Sequence, residues 1–258
     1  MELMVSISIM SVIMLAFGGL LTQANQVVTD GERRMRSDAA ASAISRIIRK
    51  DIRQATKNGF LRLGKNVFVI VTAGQTESSF SNVTGDGSVV IYGWDENSNV
   101  LYRKVLVLSK NAPVDSNPDD GNDEEIVDCL VWNDGTGKRG MNLAELQVLS
   151  DAKMGELIDY MVKPPDNMRY PPNTLLQVTK TSWMVLAGGC TGLQIAHQAP
   201  GESDWKEGSP ATYTRHNQTS WPTAIKFRFT LQPKSIVGAV IADDGGAAEY
   251  EIICPIGH

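Results

Sequence analysis

Residues 2–55 read ELMVSISIMSVIMLAFGGLLTQANQVVTDGERRMRSDAAASAISRIIRKDIRQA, and this stretch decides the fold. From Leu3 to Leu21 there is no charge, and only small hydroxyls interrupt the apolar residues. Nineteen helical residues span roughly 28 Å at about 1.5 Å per residue, close to the thickness of a hydrocarbon core. A secretory signal peptide would place a basic segment before the apolar run and a small-x-small cleavage site after it. Here an acid, Glu2, opens the run, and residues 22–55 continue it as a helical pattern. Ala40, Ala43, Ile44, Ile47, Ile48, Ile52 and Ala55 recur at spacings of three and four, with Arg and Lys on the other faces. The spacing predicts one long rod, apolar all round over 1–24 and amphipathic over 25–58. The expected packing buries Ile44, Ile47, Ile48 and Ile52 against an antiparallel sheet and leaves Arg46, Arg49 and Arg53 exposed.

Three residues in the apolar half stand out. A carboxylate such as Glu2 at a hydrocarbon edge costs on the order of a few kcal/mol unless it is paired. Gly18 and Gly19 each cost about 1 kcal/mol relative to alanine inside a helix. They allow either close helix packing or local melting that lets the rod stretch.

After Asn58-Gly59 the pattern changes to strands and turns, giving a β-rich head over 59–258. Val67–Thr72 is a short apolar run. Val89–Trp94 and Val100–Leu108, joined across Asp95–Asn99, read as a hairpin. Residues 111–126 form an acidic Pro/Gly/Asp loop, Asn142–Met161 reads as a second helix, and KPPDNMRYPPN after it is a surface connection. Further strands are expected at Leu175–Val178, Ser182–Ala187, Leu193–His197, Ala224–Leu231, Ser235–Ala242 and Ala248–Cys254. Asp243-Asp244-Gly245-Gly246 reads as a hairpin turn.

Glu2-Leu3-Met4-Val5, the apolar run and the amphipathic continuation together resemble the start of a type IV pilin or pseudopilin. The resemblance implies an α+β, pilin-like fold, with a long N-terminal helix packed on an antiparallel sheet. It also implies removal of a basic leader by a prepilin peptidase, methylation of the new N-terminus, and a glutamate at the fifth mature position. If Glu2 is that glutamate, residue 1 stands three residues inside the mature protein. Met184–His197 (MVLAGGCTGLQIAH), Trp205 and Trp221–Leu231 (WPTAIKFRFTL) are similar to the J-type minor pseudopilins of type II secretion. Lys50–Ala55 is similar to the end of their long helix, and to that of related minor type IV pilins. The region at about 111–175 matches neither and reads as an insertion. The implied role is a structural filament subunit, inserted in the bacterial inner membrane with a periplasmic or extracellular head. The implied partners are other pilin or pseudopilin subunits and the assembly platform. The alternative is a non-polymerising, membrane-tethered binding or sensor domain.

The chemistry elsewhere is sparse. Asp115, Asn117, Asp119, Asp120 and Asp123 offer alternating oxygen ligands for calcium. Their glycine falls one place late for an EF-hand, however, and the terminal glutamate is lacking. No other cofactor is expected. His197, His216 and His258 lie apart, and no catalytic motif is present, so an enzyme is not expected. Trp183, Trp205, Trp221 and Tyr213 suit either a sugar or peptide site or the finishing of a core. Cys129, Cys190 and Cys254 match no zinc spacing and allow one disulfide plus a thiol, or three buried thiols. The formal net charge of −5 argues against nucleic acid as a partner.

Overall fold

The structure, a computed structural model, describes residues 2–78, 82–96, 98–112, 128–133, 138–150, 152–155, 157, 183–208, 211–232 and 247–256. A single helix, α1 (Glu2–Arg53), runs unbroken for 52 residues, about 80 Å at the usual rise. It is followed by β1 (Phe60–Leu63), β2 (Val67–Glu77), β3 (Thr84–Asp95), β4 (Val100–Leu108), β5 (Val131–Asn133) and β6 (Lys138–Gly140). A short helix, α2 (Leu143–Val148), precedes β7 (Trp183–Gly188), β8 (Cys190–Gln198), β9 (Trp205–Glu207), β10 (Ala211–Thr214), β11 (Ala224–Leu231) and β12 (Ala248–Pro255). The class is α+β, with the long N-terminal helix on antiparallel sheets, as the pilin resemblance implies.

Besides the two-stranded pair β5-β6, two sheets form the described head. One is six-stranded in the order β10-β1-β2-β3-β4-β7, and the other is four-stranded in the order β12-β11-β8-β9. The chain changes sheet between β7 and β8 at Gly189, whose positive φ of 78° is a conformation glycine adopts without steric cost. In the β3–β4 turn Asn99 takes the left-handed conformation, which asparagine tolerates better than most residues. The second half of α1 lies against β12, β2 and β7. Ala41, Ile44, Ile48 and Ile52 are buried there, in one core with Phe68, Tyr92, Trp221, Phe227, Phe229 and Ile252. Arg46, Arg49 and Arg53 are exposed, as expected. Ile47 is only half-buried and Ala43 is exposed, which departs from the expected stripe. Each stands about 100° round the helix from its neighbour at 48 or 44, at the margin of the contact, while Ala41 falls on the centre line.

The six-stranded sheet buries both faces, which explains why VFVIVT and VVIYGW are continuous apolar runs and not alternating ones. Phe68, Ile70, Val90 and Tyr92 point into the core shared with α1. Val69, Val71, Val89, Ile91, Leu106 and Leu108 point the other way, onto Leu130, Met141, Leu146, Met154 and Leu157. The described parts of the expected insertion therefore cover the sheet's far face. The four-stranded sheet alternates instead, with Ile225, Phe227, Phe229 and Leu231 buried.

The second helix is shorter than the expected Asn142–Met161. Asn142 and Glu145 form a reciprocal capping box, and Leu149 turns extended (φ −61°, ψ 141°), which ends the helix at Val148. Residues 152–155 are helical again. The strands expected at Leu175–Val178 and Ser235–Ala242 and the turn at Asp243–Gly246 lie outside the described residues. Short β1, β5, β6, β9 and β10 were not expected; they lack the length that gives an alternation its signal.

Candidate functional site

The site that stands out is the N-terminal half of α1, whose described side chains are exposed. Between Glu2 and Asp30 the helix is uncharged for 27 residues, about 40 Å of rise. The helix contains an 18-residue window of mean hydropathy 1.8, none of it buried, and is long and apolar enough to cross a membrane. Met4, Ile7, Ile9, Met10, Val12, Ile13, Met14, Leu15, Phe17, Leu20 and Leu21 are each more than half exposed. Leaving that much apolar side chain in water costs roughly 1.5–3 kcal/mol per residue, a cost that apolar surroundings would relieve.

The polar groups in this half are arranged for such a setting. The hydroxyls of Ser8, Ser11 and Thr22 donate to the carbonyls of Met4, Ile7 and Gly18 at 2.8–2.9 Å. Each hydroxyl is thereby satisfied within the helix, as an apolar environment demands. Gly18 and Gly19 are helical, and a Cβ built on either would meet no atom within 4 Å. Packing within this chain therefore does not account for the pair. Glu2 is the first residue of α1. The structure thus places all three expected assembly residues on the free half-helix.

The docked half is held by two polar latches. Asp51 lies on the apolar side of α1 and is 4% exposed; Arg103, on β4, is 15% exposed. Arg103 donates through Nε to Asp51 Oδ2 at 2.8 Å and through Nη2 to Oδ1 at 2.9 Å. The Tyr92 hydroxyl also donates to Asp51 Oδ2. Tyr92 and Arg103 are cross-strand partners on β3 and β4, so both reach the same carboxylate. Burial, and after it the Asp51 charge, raises the Tyr92 pKa well above its ordinary value. Burial alone would disfavour the Arg103 charge, but the hydrogen bonds and charge of Asp51 outweigh it. About 13 residues up the helix, the Tyr250 hydroxyl on β12 donates to Asp38 Oδ1 at 2.7 Å. Partial burial and Asp38 push the Tyr250 pKa up to about 12.

Sequence reasoning missed both latches. The legible signal was Asp51, a lone acid on the helix face that carries Ile44, Ile48 and Ile52; its partners, 41 and 52 residues away, left no local trace.

Other expected sites separate. Asp115, Asn117, Asp119, Asp120 and Asp123 lie outside the described residues. Among the described residues no group of three or more His, Cys, Asp or Glu is placed to hold a metal. Trp221 is buried, and its Nε1 donates to the Thr214 carbonyl at 2.9 Å, so it belongs to the core. Trp205 carries Lys226 Nζ 4.9 Å above its ring, and Tyr213 meets His197 edge-on. Cys129, Cys190 and Cys254 are buried, and no disulfide joins them.

No protein-family model matches this chain, and no curated protein is found to be similar to it.

Proposed function

We propose that this chain is a structural subunit of a type IV pilin-like filament, either a pilus or a type II secretion pseudopilus. It sits in the inner membrane through the first half of α1 and assembles with other pilin or pseudopilin subunits through the same surface. The observation that supports this most directly is the continuity of α1. One helix is bare and apolar for about 40 Å, then docked on an antiparallel head. A plain membrane tether needs the first part but not the second, because a flexible linker would serve as well.

Glu2 carries the mechanism. In a bundle of apolar helices an unpaired carboxylate is costly, so it finds a cation on a neighbour. The resemblance implies that this cation is the free N-terminal amine of an adjacent subunit. Such a pair sets the register of each incoming helix, which apolar contacts in lipid discriminate weakly. Within this reading the prepilin peptidase, methylation of the N-terminus and the assembly platform come with the family resemblance. A role without catalysis goes with it.

The test is Glu2→Leu in the native cell. Membrane insertion is expected to stay intact or improve, while incorporation into filaments, or the secretion or piliation that depends on them, falls sharply. Glu2→Leu found in filaments at the wild-type level defeats the pairing and favours a lone tether.

A further inference from the structure

The shortest strand of the four-stranded sheet, β9, lies at its edge. It is paired with β8 alone, through Ala196 with Glu207, His197 with Lys206 and Gln198 with Trp205. Gly201 and Gly208 flank it at φ of 76° and 67°, a conformation that glycine adopts freely. The following strand, β10, belongs to the other sheet and is better anchored. All four of its residues pair with β1, and the Thr214 carbonyl accepts from Trp221 Nε1. The two sheets therefore meet where a weakly held strand faces a firmly held one.

His197 sits in this seam. It stands opposite Ile225 of β11, a core residue, so its side chain turns toward the space between the sheets. Its ring meets Tyr213 of β10 edge-on, with centroids 5.9 Å apart and planes at 72°. A neutral imidazole carries one donor and one acceptor, and buried histidines ordinarily satisfy them. His197 is buried, yet it makes no hydrogen bond among the described residues. The one fully buried side-chain atom without a partner there is Asn66 Oδ1, so the His197 nitrogens still reach water at the seam. The charges that act on the ring are Lys206, directly across on β9, and Glu202 in the loop before it. Glu202 is held by Lys206 at 2.9 Å. The facing groups on β11 and β10 are Ile225 and Tyr213, and burial raises the Tyr213 pKa, which keeps that phenol neutral.

We propose that protonation of His197 releases β9 from β10 and opens the seam between the two sheets. The neutral ring packs on Tyr213 as one aromatic on another. An imidazolium in the same place lies beside Lys206, with no acceptor for its second N–H. Release of β9 carries Lys206 away and lets water solvate the charged ring. The closed seam thus favours the neutral form, in keeping with a His197 pKa lowered by burial and then by Lys206. Opening takes up a proton below pH ~6.5, so the open fraction grows as pH falls. Growth ends where the ring is protonated in the closed seam too. The device lies within the head and does not depend on the filament reading.

The experiment is amide hydrogen exchange of the full chain in detergent micelles, from about pH 8 to about pH 5, corrected for intrinsic chemical exchange. Exchange at Trp205–Glu207 is expected to be flat above pH ~6.5 and then to quicken by up to about tenfold per pH unit, the limit for one proton. It should run well ahead of exchange in β3 at every pH. His197→Gln should flatten the profile. Two rim variants leave the core untouched, because Lys206 and Glu202 are each about half exposed. Lys206→Gln removes a cation that opposes protonation, so the rise should end at a higher pH. Glu202→Gln removes an anion that favours it, so the rise should extend to a lower pH. A wild-type profile at β9 that does not change with pH overturns the proposal. Exchange of β9 and β3 at one common rate confines His197 to global unfolding and overturns it too. Should His197→Gln misfold, rim variants that leave the profile unmoved, or move it the same way, overturn it by themselves.

Discussion

Replacing Asp51 with alanine removes the acceptor shared by two groups that have little other recourse. Tyr92 is 1% exposed, so its hydroxyl loses its Asp51 acceptor deep inside the core. The Arg103 side chain is 15% exposed and loses both arms of a bidentate contact. Breaking a buried pair by deleting one partner typically costs about 3–5 kcal/mol, most of it from the charge left behind. The partial access of water to Arg103 places the expected loss near the lower end, at about 3 kcal/mol. Asp51→Asn keeps the volume and one acceptor, so its loss should be about 1.5–2 kcal/mol. Asp51→Leu with Arg103→Met removes both charges together and should recover most of the stability, because matched apolar replacement of a buried pair is often neutral.

Urea unfolding of the full chain in detergent, read by tryptophan fluorescence, measures all three variants. The midpoint should move while the slope stays constant. Hydrogen exchange should quicken first in residues 44–53, since the latch joins that segment to β3 and β4. A loss below about 1 kcal/mol for Asp51→Ala, or a double variant no more stable than the single one, refutes the latch as the element that holds α1 on the head.

His197 is 5% exposed, and burial, with Lys206 adding to it, lowers its pKa below the ordinary 6.5. The folded state thus favours the neutral ring. Its stabilising contribution is present above pH ~6.5 and is lost as pH falls through the lower folded value. His197→Gln should flatten that limb of a stability–pH profile relative to the wild type. The thiols make a second prediction: burial pushes Cys190 up to about 11 and raises Cys254, and all three cysteines are buried. A maleimide at about pH 8 should therefore label none of them in the folded chain and all three in urea.

Much of this architecture was legible because helix periodicity is a strong signal over about 50 residues. The uncharged run fixed the free half of α1, and the isoleucines at 44, 48 and 52 fixed the docked face. The hairpin of β3 and β4 was legible from two apolar runs flanking Asp95–Asn99. Strand spans with both faces buried were read as strands but could not reveal what covers their second face. That cover comes from Leu130, Met141, Leu146, Met154 and Leu157, in a region with no pattern of its own. The Asn142–Met161 helix was overextended because its apolar spacing persists past Val148, while the backbone breaks at Leu149. The latches were invisible for a different reason. Hydrogen bonds between residues distant in sequence carry no periodicity, and only the misplaced charge of Asp51 hinted at one.

Those latches solve a problem that the helix itself creates. An apolar stripe read every three or four residues is nearly self-similar under a shift of one turn, about 5.4 Å, so hydrophobic burial alone defines the axial position of α1 poorly. A slip of four residues would bring Ile47 or Ala55 opposite Arg103 in place of Asp51. The guanidinium and the Tyr92 hydroxyl would then be unpaired in the core, at a cost of several kcal/mol. The same slip would separate Asp38 from Tyr250, about 20 Å further along the rod. Two directional contacts at opposite ends of the docked half therefore fix its register where isoleucines cannot. Fixing the register also fixes how far the bare apolar segment projects from the head. In the proposed filament that distance must be the same in every copy, because Glu2 can meet the neighbouring N-terminus only if all heads stand at one height.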